Sequence, residues 1–297
     1  MDEVNDTDSE LAKDLGVTLL QFRETVKEGQ SLDAALEDSN ADSIYTICYT
    51  SGTTGMPKGV MLSHRNFVSN LGAFEGFDGQ FQVYQTDVYI SYLPLAHVLE
   101  RMMMLLCMAM GIQYGFYGGD VLKLKEDLVV LRPTIMASVP RLFTRFYDVM
   151  KQKINELTGM KRTITEWGVQ RKLINLDSKA YHTHSFYDNL VFYKFREFLG
   201  GRVRVMVTGS APISKEVLNF LKVAFCVPIL EGYGQTECAA PATITWTQDP
   251  KSGHVGGPYP SCEIKVVDVP EMNYTSEDVD ETGINTPRGE ICFRGYN

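Results

Sequence analysis

The chain has 297 residues, 44% apolar and 22% charged, the proportions of a soluble globular protein long enough to bury a sizeable core. Its net charge of −9 resides entirely in the first 45 residues, where twelve acids face three bases; beyond them 25 acids balance 25 bases. A neutral body without a basic stripe excludes the usual electrostatic footprint of a nucleic-acid binder.

Residues 1–9 are polar and acidic, unlike a signal or transit peptide. Leu19, Phe22 and Val26 are spaced for one face of a short surface helix. From Ile44 the pattern changes to short β-rich runs alternating with helical stretches. Strands are expected at 44–50, 88–92, 112–116, 134–138, 203–208 and 227–230, the first and third of them buried. Helices are expected at 65–73, 95–110, 125–131, 141–154, 187–199 and 215–224, the last capped by Ser214. Residues 102–119 carry no charge, but Gln113, two tyrosines and four glycines mark a buried helix and strand rather than a membrane span. Two further strands, 263–269 and 290–293, flank an acidic loop at 277–281. The expected organisation is an acidic leader at 1–43, an α/β core at 44–262 and the start of a β-rich subregion at 263–297. The alternation implies a mostly parallel, helix-covered sheet, with ligands at the carboxyl ends of its strands. That rule points to the loops after Thr50, Thr208 and Leu230.

Six cysteines, at 48, 107, 226, 238, 262 and 292, form no Cys-x-x-Cys pair. Their scatter suits neither a zinc site nor a disulfide framework, and they read as reduced thiols of a cytosol-facing protein.

The densest chemistry is Tyr49-Thr50-Ser51-Gly52-Thr53-Thr54-Gly55-Met56-Pro57-Lys58-Gly59. Glycines and hydroxyl residues at this density let backbone N–H groups turn toward an anion, the hydroxyls add donors, and Lys58 adds charge. A Walker loop is excluded, because Gly52 and Gly55 are too close and Met-Pro separates Gly55 from Lys58. A plain polar turn is the bland alternative. Val207-Thr208-Gly209-Ser210-Ala211-Pro212 follows a strand with residues small enough to admit a flat ring, though it is also an ordinary loop. In Glu231-Gly232-Tyr233-Gly234-Gln235-Thr236-Glu237, an aromatic face can meet a purine and a carboxylate can hold Mg²⁺; alone, it also reads as a helix-starting turn. Leu93 to Arg101 opens a helix with His97 in its first turn. The Met-rich stretch at 102–110 offers either an adaptable apolar lining or simple core packing. No Ser-His-Asp set or nucleophile elbow is present, which suits chemistry without a covalent enzyme intermediate.

The eleven-residue run resembles the signature of the adenylate-forming (AMP-binding) superfamily, and the Glu231 to Glu237 segment resembles its second signature. Segments 91–101, 199–211 and 230–238, continuing to 252–256, resemble eukaryotic long-chain acyl-CoA synthetases (long-chain fatty acid–CoA ligases), over about 85% of the chain. The resemblance implies ATP, Mg²⁺ and CoA as reaction partners and a fatty acid as substrate, activated to acyl-AMP and then to acyl-CoA. It assigns ATP phosphate contact to Thr50, Ser51, Gly52, Thr53, Thr54, Gly55, Lys58 and Thr236. Adenine contact goes to Gly209, Ser210, Ala211, Glu231, Gly232 and Tyr233, metal to Glu237 and the acyl substrate to His97. Lipid metabolism at the endoplasmic reticulum or mitochondrial outer membrane follows, with membrane association through an upstream segment. The family also carries a ribose-binding aspartate, a hinge and a small C-terminal domain with a catalytic lysine beyond a segment like 289–295. Those features are expected outside these residues, so this reads as a central fragment. The competing readings are an inactive nucleotide-binding or interaction module and a ligase for another carboxylic acid.

Overall fold

The computed structural model describes residues 4–33, 35, 37–50, 56–75, 82–179 and 182–297. It divides into two compact units, Met1–Asn40 and Ala41–Asn297. The first holds helices α1 (Asp6–Asp14) and α2 (Phe22–Gln30). Asn5 caps α1 by accepting from the Asp8 amide, while Asp8 reaches back to the Asn5 amide. The expected surface helix is α2; Phe22 and Val26 are both exposed, and Leu19 precedes its first turn.

The second unit runs β1 (Ile44–Thr50), β2 (Lys58–Ser63), α3 (His64–Glu75), β3 (Val88–Ser91), α4 (Val98–Met110), β4 (Gln113–Phe116), α5 (Leu124–Leu131), β5 (Ile135–Ser138) and α6 (Pro140–Asn155). It continues α7 (Gly159–Lys179), α8 (Ser185–Tyr187), α9 (Tyr193–Glu197), β6 (Val205–Thr208), α10 (Lys215–Phe225), β7 (Ile229–Tyr233), β8 (Thr243–Ile244), β9 (Gly257–Pro258), β10 (Cys262–Val267) and β11 (Glu290–Gly295). Among the described residues, seven strands form one sheet in the order β4-β3-β5-β6-β7-β8-β9. The pairings from β4 to β7 are parallel and the last two antiparallel.

Alternation along the inner strands builds two cores. Ile90, Met136, Met206 and Ile229 face one core with α5, α6 and α10, while Tyr89, Ile135, Val205 and Leu230 face the other with α4. Both sheet faces are therefore helix-covered, as expected of an α/β fold. Ser214 caps α10, its hydroxyl accepting from the Val217 amide at 3.2 Å.

The structure corrects several local expectations. The strand at 44–50 is not a buried member of the parallel sheet. It pairs antiparallel with β2 in a separate hairpin, with Cys48 its only buried residue. Its Ile44, Ile47 and Tyr49 are exposed, so an apolar run misled the burial reading. The strand at 112–116 is the sheet's edge strand β4, with Gln113 and Phe116 exposed. The helix expected at 187–199 is interrupted by a π-helical stretch at Asp188–Phe192, and α7 was not anticipated at all. Among the described residues, no helix is long and apolar enough to cross a membrane.

Candidate functional site

A cavity of about 270 Å³ opens at the carboxyl ends of β6 and β7. Its shaft is apolar, formed by Phe74, Met102, Met103, Leu106 and Ile135. Its mouth is polar and close to backbone, formed by His97, Gly209, Ser210, Gly232, Tyr233 and Thr236. One cavity thus joins residues assigned to adenine, phosphate and acyl contact. Ala211 and Glu231 belong to the same two segments but do not line it, and neither do Thr50, Lys58 and Glu237.

Local chemistry explains the mouth. A Cβ on Gly209 would come within 3.0 Å of the Gly232 carbonyl, and one on Gly234 would fall inside the Ala240 carbonyl. Only glycine permits the second approach, and at the first any Cβ would press on the neighbouring backbone. Ser210 holds φ at 72°, a left-handed conformation costly for a side-chain-bearing residue and typical of ligand-clamping turns. Thr208 and Thr243, 1% and 7% exposed, line the cavity, and their hydroxyls find no hydrogen-bond partner among the described residues. A buried hydroxyl left unpaired costs free energy, so these two atoms suit a polar ligand in the mouth. Tyr233 stacks one face on Phe293, ring centroids 6.0 Å apart, and receives a 3.1 Å hydrogen bond from Gln235.

His97 sits at the N-cap of α4 rather than within its first turn. Its Nδ1 accepts from the Leu99 amide at 3.3 Å, which leaves Nε2 to carry the proton in the neutral ring. The imidazole is exposed at the cavity rim.

The phosphate run sits in the β1–β2 hairpin. Thr50 pairs with Lys58 as the last pair of its ladder, and Lys58 is exposed. Ser51, Gly52, Thr53, Thr54 and Gly55 lie outside the described residues. Two of the three expected turns therefore lie at strand ends of the parallel sheet, while the strand before the third, β1, belongs to a separate hairpin. The hairpin is nevertheless docked to the site. Cys48, Leu62 and Phe67 pack with Val98 and Met102 of α4 and with Ala239 and Ala240, which follow the second signature. Strand β2 also lies against the turn Thr236–Cys238, where Glu237 is exposed. Among the described residues no three potential metal ligands cluster. A single carboxylate such as Glu237 suits Mg²⁺, which takes most of its ligands from water and phosphate.

Sequence reasoning missed the residues that hold these segments together. Asn70 on α3 is fully buried, donates to the Cys238 and Ala239 carbonyls and accepts from Ser261 at 2.6 Å. Glu100 is also fully buried and accepts from Tyr89 at 2.6 Å and Tyr114 at 2.7 Å. Its position beside His97 in the helical repeat was the only available signal. On β7 itself, burial pushes the Glu231 carboxyl up, opposed by the charges of Lys222 and His254. One Glu231 oxygen, Oε2, lacks a partner among the described residues. His254 pairs with Asp249 at 3.2 Å, a partner the sequence did not reveal.

The family model of the AMP-binding enzymes matches residues 2–297. Long chain acyl-CoA synthetase 7, peroxisomal, of Arabidopsis thaliana is 43% identical over 96% of this chain, and long-chain-fatty-acid–CoA ligase 1 of Homo sapiens is 42% identical over 86%. The chain spans 39% and 35% of those two relatives. Among solved structures, the A domain of the carboxylic acid reductase of Segniliparus rugosus, in complex with AMP and a co-purified carboxylic acid, superposes with a TM-score of 0.64. It is 26% identical and covers 98% of this chain and 41% of its own. From the strand-end turns to the match along nearly every residue, the chain belongs to the AMP-binding enzyme family.

Proposed function

We propose that this chain is the nucleotide- and acid-binding core of a long-chain fatty acid–CoA ligase. The observation that carries the reading is the cavity itself: an apolar shaft ending under a polar, glycine-built mouth. A fatty acid would lie with its tail against Met102, Met103 and Leu106, and its carboxylate near His97. Adenine would rest between the Gly209–Ser210 turn and the free face of Tyr233, and the Thr208 and Thr243 hydroxyls would gain partners. Thr236, Lys58 and the run from Thr50 to Gly55 would grip the phosphates.

Held this way, the carboxylate attacks the α-phosphorus, pyrophosphate leaves with the displaced bond electrons, and the CoA thiol then displaces AMP from the acyl-adenylate. The residues contribute alignment and charge neutralisation more than covalent chemistry. A magnesium ion bound through Glu237 would neutralise phosphate charge. The acidic segment 1–43 would serve as a leader, 44–262 as the core and 263–297 as the start of a second, β-rich region. By resemblance the protein faces the cytosol at the endoplasmic reticulum or mitochondrial outer membrane, through a segment outside these residues. Since the Arabidopsis relative is named peroxisomal, organelle fractionation of the endogenous protein is the measurement that decides.

The test of function is ATP–pyrophosphate exchange with fatty acids of graded length. Exchange that saturates with a long-chain acid supports the ligase. Nucleotide binding without exchange for any acid would instead make this a binding module, and exchange confined to short or aryl acids would move the substrate class.

A further inference from the structure

The Arg101 side chain joins two parts of the site that the sequence keeps far apart. It lies on α4 between Glu100 and Met102, a lining residue of the cavity shaft. Its Nε and Nη2 donate to the Leu95 carbonyl at 3.2 and 3.0 Å, inside the loop that delivers His97. Its Nη1 donates to Thr46 Oγ1 and lies 3.4 Å from Cys48 Sγ, both on β1. Thr46 and Cys48 lie on one strand face, and Thr50, the first residue assigned to phosphate contact, follows on that same face. From Cys48 to Thr50 the strand advances only about 7 Å. On the other side, Glu100 anchors the same turn of α4 to β3 and β4 through two tyrosine hydroxyls. Neighbouring residues therefore fix α4 to the main sheet and clamp its first turn to the phosphate hairpin.

Geometry explains why arginine fits here. Three donors of one rigid, planar guanidinium point at two different segments, which a lysine ammonium on a flexible stem cannot reproduce. Among the described residues the hairpin has no other strand partner, since β1 and β2 form a sheet by themselves. Its placement depends on packing and on this tie.

We propose that Arg101 is a positioning residue that couples occupation of the acyl cavity to the order of the phosphate hairpin, so that bound acid tightens the grip on ATP. The proposal rests on the acyl reading of the cavity given above. Acid in the shaft restrains α4 and the Leu95–His97 loop, and Arg101 carries that restraint to β1. By linkage, ATP must then tighten acid binding by the same factor.

The experiment combines hydrogen exchange of the 44–50 amides with calorimetric titration of MgATP, each with and without hexadecanoate. It compares the unaltered chain with Arg101→Lys and Thr46→Val. Thr46→Val keeps the side-chain shape, removes the hydroxyl acceptor on β1, and leaves only the weak Cys48 sulfur contact there, with the Leu95 contacts intact. In the unaltered chain, hexadecanoate is expected to slow 44–50 exchange and to tighten MgATP about fivefold or more, the lower end of ordinary coupling. Both variants are expected to bind hexadecanoate within about twofold of the unaltered chain yet lose most of that coupling. Full coupling in Thr46→Val, or none in the unaltered chain despite saturable hexadecanoate binding, overturns the proposal. No saturable hexadecanoate binding at all removes the acyl reading itself, and the coupling with it; the binding isotherm distinguishes that failure from the others.

Discussion

Asn70 Nδ2 lies 3.0 Å from the Ala239 carbonyl and 3.2 Å from that of Cys238, bridging α3 to the segment that leaves the second signature. Its Oδ1 accepts from Ser261, and its own carbonyl accepts from the Tyr259 hydroxyl at 3.3 Å. One buried amide thus serves three segments, and removing it strands several polar groups. Asn70→Ala is expected to lower stability by about 1–3 kcal/mol. The same change should weaken MgATP binding, because Thr236 and Glu237 lose the anchor just behind them. Urea unfolding and calorimetry measure both; unchanged values would remove Asn70 from the site's scaffold.

Gly234 lies so close to the Ala240 backbone that a methyl group cannot enter without moving the chain. The obstruction is a carbonyl rather than a pliable side chain, so Gly234→Ala forces the loop between Tyr233 and Thr236 outward. A loss of nucleotide affinity of at least about tenfold is expected, with a stability cost of roughly 1–3 kcal/mol. Wild-type affinity in this variant would show that the loop is not the nucleotide clamp.

The alternation of apolar strands and helices made the α/β fold legible in advance, because period-2 and period-3.6 patterns are local properties. Five expected strands fall within a few residues of β3 to β7. The hairpin was misjudged because an isolated two-stranded sheet and a buried parallel strand share the same apolar run. Site residues were visible where chemistry concentrates in a short stretch, as at Gly209 and Ser210 or Gly232 to Thr236. Asn70, Glu100 and Arg101 were not, since their roles arise from partners 6 to 191 residues away along the chain. Alternation cannot encode such contacts, and only folding brings them together.

Glu237 is exposed in the turn against which β2 packs, with phosphate-run residues on the neighbouring hairpin. A carboxylate there can hold Mg²⁺ without a preformed cluster. Glu237→Ala is expected to lower acid-dependent pyrophosphate exchange at least about tenfold and to raise the magnesium concentration required. Unchanged exchange with an unchanged magnesium dependence would exclude the metal role.

Lys172 has no exposed surface and donates to Asp188 and to the Val223 carbonyl, both at 2.5 Å, with its ammonium 4.3 Å from the Phe192 ring centre. The π-helical stretch begins at Asp188, so the ion pair fixes the point where α8 gives way to that stretch. Lys172→Met fills similar volume but leaves the Asp188 carboxylate buried without its counter-charge. Breaking such a pair costs about 3–5 kcal/mol, and urea unfolding should report a loss in that range. A loss below about 1 kcal/mol would mean that Asp188 reaches water or takes up a proton instead.

His182 lies near this pair and near Lys222. Burial, with the positive charges of Lys172 and Lys222, lowers its pKa from 6.5 to about 4, although Asp188 pulls the other way. Between those values the unfolded chain holds a proton on His182 that the folded chain does not. The stabilisation is therefore complete above pH 6.5 and is lost as the pH falls toward 4. Going from pH 7 to pH 5 should cost the unaltered protein about 1–2 kcal/mol more than His182→Gln, measured by urea unfolding at each pH. A ring-proton titration by NMR should place the His182 midpoint near 4. A midpoint near 6.5, or equal losses in the two proteins, would mean that the imidazole is solvated and takes no part in the acid sensitivity of the fold.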